Sequence, residues 1–426
     1  MLKDLDKKDI DSLFDEGVFD IRHKSLDLSG PYSHQQIIAN LSKIANQNTV
    51  FSTILRGGGI SKRFVPPVVS LLNSAIDFCP DHCFCLHQSN QTIFKILFDL
   101  QKTISLLSGL PSSSTLLDSG AIALLKTILS TKADQKNTAI IFDSFSPHLA
   151  VVIKTIIPHA GMDILVLPNK NGQIDYDILK STLIKYRDKV ACVCFEQVNR
   201  FGLIEESKAL CHLIRQHGAK SVVWTSLIHA SVLQSVGSCG GDFAVGSLQD
   251  LGLDLALGGL DCGFVSSGES ELNYFNHIKK SENDEKISHN NEKTENDKNI
   301  DQFKLNSLCQ INISTIKNAL KAASFLNSVG GNGLKKIALT SASAAHYAAD
   351  EFVKNGAKLK YGLAENGADF FDRFVATHRQ RPSKILKKLA QKSILGGSEV
   401  GEHDILWQFD ENITKEKIDL IISVVN

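Results

Sequence analysis

The stretch "VACVCFEQVNRFGLIEESKALCHLIRQHGAKSVVWTS", residues 190–226, decides the fold class. It opens with a strand-length run, "VACVCFE" (190–196), that is apolar almost throughout. A short run without polar alternation reads as a strand buried on both faces, the condition of a parallel sheet. After a loop, "ESKALCHLIRQHGA" (206–219) spaces its apolar residues along one helical face, with Glu205 at its opening and Gly218 as its stop. A second strand-length run, "SVVWTS" (221–226), follows. Strand, helix and strand in that order form a crossover unit, which joins parallel neighbours.

Outward from this unit the pattern repeats. "NTAIIFDS" (137–144), "MDILVLP" (162–168) and "FAVGS" (243–247) are further runs of strand length. Between two of them Asp175 is placed to cap "YDILKSTLIKYR", whose Ile178, Leu179, Leu183 and Ile184 share a face. The sequence therefore predicts an α/β protein with a mainly parallel sheet between helices. Residues 1–114 read as mostly helical, with glycine punctuation at "RGGG" (56–59) and "SGLPSSS" (108–114). "INISTIKNALKAASFLNSVG" (311–330) returns to helical spacing, and the tail from "KILKKLAQKSILGG" to "HDILWQFDENITKEKIDLIISVV" predicts a smaller α+β domain. The expected division is a helical N-terminal segment at 1–75, a large α/β domain at 76–310 and a C-terminal part at 311–426. Within the second, 279–304 is so polar that it cannot bury enough surface to offset its ordering entropy, and it reads as a disordered insertion.

Composition narrows the function. Lysine plus arginine (46) equals aspartate plus glutamate (46), which argues against a nucleic-acid or polyanion binder. The basic run "SKRF" (61–64) is read as a solvated turn. No segment approaches the roughly 18 consecutive apolar residues of a spanning helix, so no membrane partner is expected. The N-terminus is charged and amphipathic, with Leu5, Ile10, Leu13 and Phe14 on one helical face; it lacks the apolar core of a secretory signal, so a cytoplasmic location is expected. Nine scattered cysteines do not form a disulfide framework. "CPDHCFCLH" (79–87) lacks a second Cys/His pair at zinc spacing, so its thiols are read as buried and no metal is expected.

Three loops follow strand C-termini, where open parallel sheets bind ligands. They carry Glu196 and Asn199 in "CFEQVNRFGLIEE" (194–206), His229 in "WTSLIHAS" (224–231), and the glycine-rich "GSLQDLGLDLALGGLDCGF" (246–264). A fourth element, Asp118-Ser119-Gly120, opens the helical "AIALLKTIL" and is either a phosphate cradle or a simple N-cap.

Taken in order, the blocks "DIDSLFDEGVFDIRHKSLDLSGPYSHQQIIANLSKIANQN", "FVPPVVSLLNSAIDF", "TIFKILFDLQKTISLLSGLPSSSTLLDSGAIAL", "CFEQVNRFGLIEE", "GGDFAVGSLQDLGLDLALGGLDCGF" and "SILGGSEVG" resemble the pyridoxal-phosphate enzymes of aspartate aminotransferase fold (fold type I). Within them they resemble subunit 1 of glycine dehydrogenase (decarboxylating), the P-protein of the glycine cleavage system. That resemblance implies a heterotetramer with a second subunit whose lysine binds pyridoxal phosphate covalently. It also implies glycine decarboxylation with aminomethyl transfer to the lipoyl group of H-protein. Laid against the lysine-bearing subunit, the Schiff-base lysine position falls on Gln249, the acid at a strand end near Thr225, and the stacking position near Ser146, with His148 two residues on. The implied cofactor-binding residues are Asp118, Ser119, Gly120, Glu196 and Asn199, with no catalytic residue in this chain. The other reading is a catalytically inactive structural or regulatory homologue. An independent pyridoxal enzyme would need a lysine in 246–264, and there is none.

Overall fold

The computed structural model describes residues 2–10, 12, 30–58, 63–74, 91–253, 261–268, 313–362 and 369–425. The cysteine-rich 79–87 segment, the 279–304 insertion, and Leu13 and Phe14 of the amphipathic N-terminus lie outside the described residues. The chain forms two compact units, Met1–Val50 and Phe51–Asn426. In the first, helix α1 (His34–Ala45) starts in a capping box, with Ser33 and Gln36 each accepting the other's backbone N–H through their side chains.

The second unit is built on a seven-stranded sheet. In chain order its elements begin with β1 (Thr53–Ile54), α2 (Pro67–Ser74), α3 (Gln91–Ser108), β2 (Ser112–Leu117), α4 (Gly120–Ser130), β3 (Thr138–Phe142), α5 (Pro147–Ile156) and β4 (Asp163–Leu167). They continue with the short pair β5 (Asn169–Lys170) and β6 (Gln173–Ile174), then α6 (Tyr176–Lys185), β7 (Val190–Glu196), α7 (Ser207–Gln216), β8 (Lys220–Trp224), α8 (Leu227–Ala230), β9 (Phe243–Ser247) and β10 (Gly263–Ser267). The strand order is β2-β10-β9-β8-β7-β3-β4, with β10 antiparallel to both neighbours and the rest parallel.

The apolar strands work as expected of a sheet covered on both faces. Ala139, Ile141, Cys192 and Cys194 point to the side covered by α4 and α5. Ile140, Phe142, Val193 and Phe195, the alternate residues, point to the side covered by α6 and α7. Asp175 does cap α6, its Oδ1 accepting from the Asp177 and Ile178 amides. Gly218 follows the end of α7 with φ +71°. Glu205, by contrast, does not cap α7; its carboxylate is turned inward, as described below.

Strands β2 and β10 carry buried serines in place of a continuous apolar run. The hydroxyls pair instead, Ser113 Oγ lying 2.6 Å from Ser266 Oγ and 2.7 Å from Ser105 Oγ. The β2–β10 register slips between Gly263 and Val265, and Leu116 takes φ +66° on the opposing strand, a bulge just before the turn into α4.

A long helical stretch, α9 (Ile313–Lys354), is broken at Gly330, whose φ is 63° and ψ 178°. Beyond it lie β11 (Lys358–Leu359), β12 (Arg373–Thr377), α10 (Pro382–Ala390), β13 (Ile394–Leu395), β14 (Ser398–Glu399), β15 (Asp404–Gln408) and α11 (Lys415–Val425). Strands β11-β12-β15-β14 make an antiparallel sheet whose core joins Trp407 and Phe374 to Phe352 of α9 and Ile421 of α11. The stretch expected to be helical is interrupted at β1, which pairs in parallel with β13. β-branched Thr53 and Ile54 suit that pairing.

Candidate functional site

Strands β2, β3, β7, β8 and β9 end on one edge of the sheet, and antiparallel β10 begins there. Their loops surround a cavity of about 240 Å3 lined by Ser146, His148, Glu196, Thr225, Ser226, His229, Ser247, Gln249, Asp250, Asp261 and Arg373, with Leu149, Val198 and Trp224 as apolar wall. This is where the sheet topology puts a ligand site.

Glu196 ends β7 and is 3% exposed. Its Oε1 accepts from Ser146 Oγ at 2.6 Å and its Oε2 from Ser146 N at 2.8 Å, just before the first turn of α5. Burial pushes the carboxyl up to about 7, against the Ser146 bonds and nearby Arg373. The group is poised to hold or release a proton near neutral pH. His148, in that first turn, is held below its ordinary value by burial and Arg373, against the pull of Asp261.

Another wall comes from α8 and β12. His229 Nε2 lies 3.3 Å from Asp372 Oδ2, and the ring packs on Phe371 with centroids 4.5 Å apart. Burial alone would raise the Asp372 carboxyl, but His229 and Arg373 hold it well below the usual carboxylate range. Arg373 Nη2 donates to the carbonyl oxygens of Val198 (3.2 Å) and Asn199 (3.0 Å), tying β12 to the loop after β7. Further along the rim Thr225 Oγ1 donates to Gln197 Oε1 at 2.7 Å and Ser226 Oγ to Asp250 Oδ2 at 2.9 Å. Gln249 stands at the cavity with its backbone N–H on Ser247 Oγ, 2.9 Å away.

The expected site residues divide. Glu196 faces the cavity and Asn199 does not. Asn199 is 1% exposed. Its Nδ2 donates to Gly172 O (2.8 Å) and Glu205 Oε1 (2.7 Å), and its Oδ1 accepts from Phe201 N (2.9 Å) and Leu203 N (3.3 Å). With donors and acceptor all used, Asn199 is the clasp of its own loop. Glu205 completes it by accepting from Ile174 N at 3.2 Å, and burial pushes this carboxyl too up to about 7. Ser119, not Asp118, is the N-cap of α4, its Oγ accepting from Ile122 N; Asp118 accepts instead from Thr315 Oγ1 at 2.8 Å. Gly120 N donates to Asp261 Oδ2 at 2.9 Å, while Asp261 Oδ1 accepts from Ser247 Oγ and, at 2.7 Å, from Cys262 N. Two donors that a phosphate could use at this helix start, Gly120 N and Ser247 Oγ, are held by a carboxylate of the chain.

Arg63, in the run read as a solvated turn, is 7% exposed. Its Nη1 donates to Glu411 Oε2 at 2.8 Å and to Ser341 Oγ at 3.2 Å, and its Nε lies 3.9 Å from Asp250 Oδ1. Its partners lie hundreds of residues away, so no local signal marked it. Among the described residues no group of three or more His, Cys, Asp or Glu could hold a metal ion, and no helix is long and apolar enough to cross a membrane.

Comparison with known proteins places this geometry. The profile described as glycine cleavage system P-protein matches residues 1–278. A probable glycine dehydrogenase (decarboxylating) subunit 1 from Endomicrobium trichonymphae is 26% identical over 435 residues, covering 100% of this chain and 96% of the relative. One of the same description from Anoxybacillus flavithermus is 25% identical over 436 residues, covering 99% and 95%. In fold, a crystal structure of inhibitor-bound glycine decarboxylase (P-protein) superposes with a TM-score of 0.81 at 20% identity, over 100% of this chain and 96% of that one. An alanine–glyoxylate aminotransferase from Nostoc sp. follows the same fold at a TM-score of 0.61 and 14% identity, over 96% and 98%. The mainly parallel sheet is thus that of the fold type I pyridoxal-phosphate transferases, and the chain belongs to the glycine cleavage system P-protein family.

Proposed function

We propose that this chain is the lysine-lacking subunit of a two-subunit glycine decarboxylase and is inactive alone. The observation that carries the reading is Gln249, a side chain that cannot form an imine, at the cavity in the loop after β9. Relatives covered over 95–96% of their length and described as subunit 1 support it. In this reading a second subunit holds pyridoxal phosphate covalently through its own lysine, in a heterotetramer, and lipoylated H-protein receives the aminomethyl group. The cofactor, when bound there, supplies the electron sink for decarboxylation of glycine. Of the residues first considered as cofactor contacts, Glu196 remains the one proposed to contribute through the cavity, as a buried carboxyl able to hold a proton at its Oε atoms. Asn199 would act through the loop it clasps.

The second reading, a structural or regulatory homologue without catalytic contribution, is favoured by Asp261 at the α4 helix start. Co-expression with a lysine-bearing second subunit separates the two. The expected result is copurification, glycine–bicarbonate exchange that needs both chains, and a borohydride-trapped adduct on the partner alone. An adduct on this chain would overturn the assignment. Copurification with exchange that proceeds equally well without this chain would establish the second reading.

A further inference from the structure

The contacts of Asp261 are those a bound anion would make. Two of its acceptors lie on donors from separate strand ends, Gly120 N at the start of α4 and Ser247 Oγ at the end of β9. A helix start offers outward N–H groups and partial positive charge, and a carboxylate satisfies both as a phosphate does. The side chain is not a casual visitor. Its own oxygen Oδ1 also accepts from Cys262 N, and its backbone oxygen accepts from Asn318 Nδ2 of α9 at 2.9 Å. Two residues on, Gly263 presses on the same cap, since a Cβ there would stand 2.3 Å from Ser119 O. Gly120 lets the approach happen, because a Cβ on it would meet the Trp224 ring at 2.6 Å and Ser247 Cβ at 2.9 Å. The backbone from Asp261 to Gly263 is thereby held against α4 and α9.

We infer that Asp261 is a built-in occupant of the anion cradle of this chain and is the residue that makes its cavity refuse a phosphorylated ligand. A phosphate arriving at the α4 start must first displace a hydrogen-bonded carboxylate and then sit beside that negative charge. Asp250 lines the same cavity. The cavity's guanidinium, Arg373, gives Nη2 to two backbone carbonyls and has Nη1 3.5 Å from Asp372, so part of its charge is already countered. Like charges crowded into a partly desolvated space repel strongly. The pyridoxal phosphate of the proposed enzyme therefore does not use this cradle. This deepens the proposed function, and rests on it for the kind of phosphorylated ligand to be refused, but it is read on the full chain alone.

The experiment compares pyridoxine 5′-phosphate with pyridoxine, neither of which carries an aldehyde to react with surface lysines, by equilibrium dialysis against the purified full chain. Wild type should bind the two equally weakly. Asp261→Ala, which frees the Gly120 and Ser247 donors and removes the charge, should bind the phosphorylated form at least about tenfold better, with inorganic phosphate competing. Circular dichroism checks that the variant is folded; if it is not, Asp261→Ser serves with the same expectation. A clear phosphate preference in wild type overturns the inference, as does a folded variant of either kind without a gain. Loss of glycine–bicarbonate exchange in the two-subunit assay would leave this result standing, so the two readings fail separately.

Discussion

Glu196 and Glu205 sit at the two ends of one loop, each buried, each hydrogen-bonded, each pushed up to about 7 by desolvation. Glu196 turns toward the cavity and takes both its bonds from Ser146; Glu205 turns into the loop and is held by Asn199 and Ile174. A carboxyl shifted this far is a common mark of an active site. Here the same shift appears on a group that serves only to shape the backbone, so ionisation does not pick out the site. What separates the two is which side of the loop the strand end presents, and that follows from the β7 C-terminus lying at the sheet edge where the other loops meet.

The largest effect should come from breaking the clasp rather than the cavity wall. Asn199→Ala strips Phe201 N and Leu203 N of their acceptor and leaves Gly172 O and Glu205 Oε1 without a donor, all at a buried position. Orphaned buried polar groups cost about 1–3 kcal/mol each where the loop cannot relax, so a total loss of about 4 kcal/mol is expected in urea unfolding. A loss under about 1 kcal/mol would mean the loop does not depend on Asn199, and would return that residue to the list of ligand contacts.

Next in size is a pH dependence that both glutamates share. Each has a folded-state value of about 7 against an ordinary 4.5, so the folded chain holds these protons more tightly than the unfolded one. Their favourable contribution is complete below pH 4.5 and is lost as pH rises through 7. Linkage puts the loss on the order of 3 kcal/mol per group. In urea unfolding from pH 4.5 to 8, Glu205→Gln and Glu196→Gln should each lose on the order of 3 kcal/mol less stability than the parent over that interval. Variants whose profiles run parallel to the parent's would show that neither carboxyl is desolvated as the structure has it.

Much of this comparison could be read in the sequence, and the reasons for the remainder are physical. Strands β3, β7, β8 and β9 announced themselves because residues buried on both faces must be apolar. Edge strand β4 did so by an apolar run although it is half-exposed, and the Asp175 cap because its partners lie within three residues. Strands β2 and β10 did not, because serines can be buried where hydroxyls pair across strands, as Ser113 and Ser266 do. Glu196 was legible as a strand-end acid, and Gln249 only by laying the glycine-rich loop against the lysine-bearing subunit. The inward turn of Glu205 was not, since a glutamate ahead of a helical run has the same local appearance whether it caps the helix or clasps a loop. Arg63 and Asp261 escaped for a shared reason: the groups that define them, Glu411 and Gly120, are brought near only by the folded chain.

The smallest effect is the one that bears on function. Glu196→Gln keeps an acceptor for Ser146 and a neutral side chain of the same shape, so at pH 5, where the parent carboxyl is still protonated, stability should change by less than about 1 kcal/mol. Glu205→Gln should cost more, about 1–3 kcal/mol, because its amide NH2 cannot accept from Asn199 Nδ2 or Ile174 N. The two variants should part in the assembled two-subunit complex. If Glu196 holds a proton at the cavity, its amide variant should slow glycine–bicarbonate exchange about tenfold, equivalent to about 1.4 kcal/mol, while Glu205→Gln leaves the rate unchanged. Equal rates for both would make Glu196 a second clasp that happens to face open space. A slowing by Glu205→Gln alone would show that loop shape, and not the carboxyl at the cavity, is what this chain lends the complex.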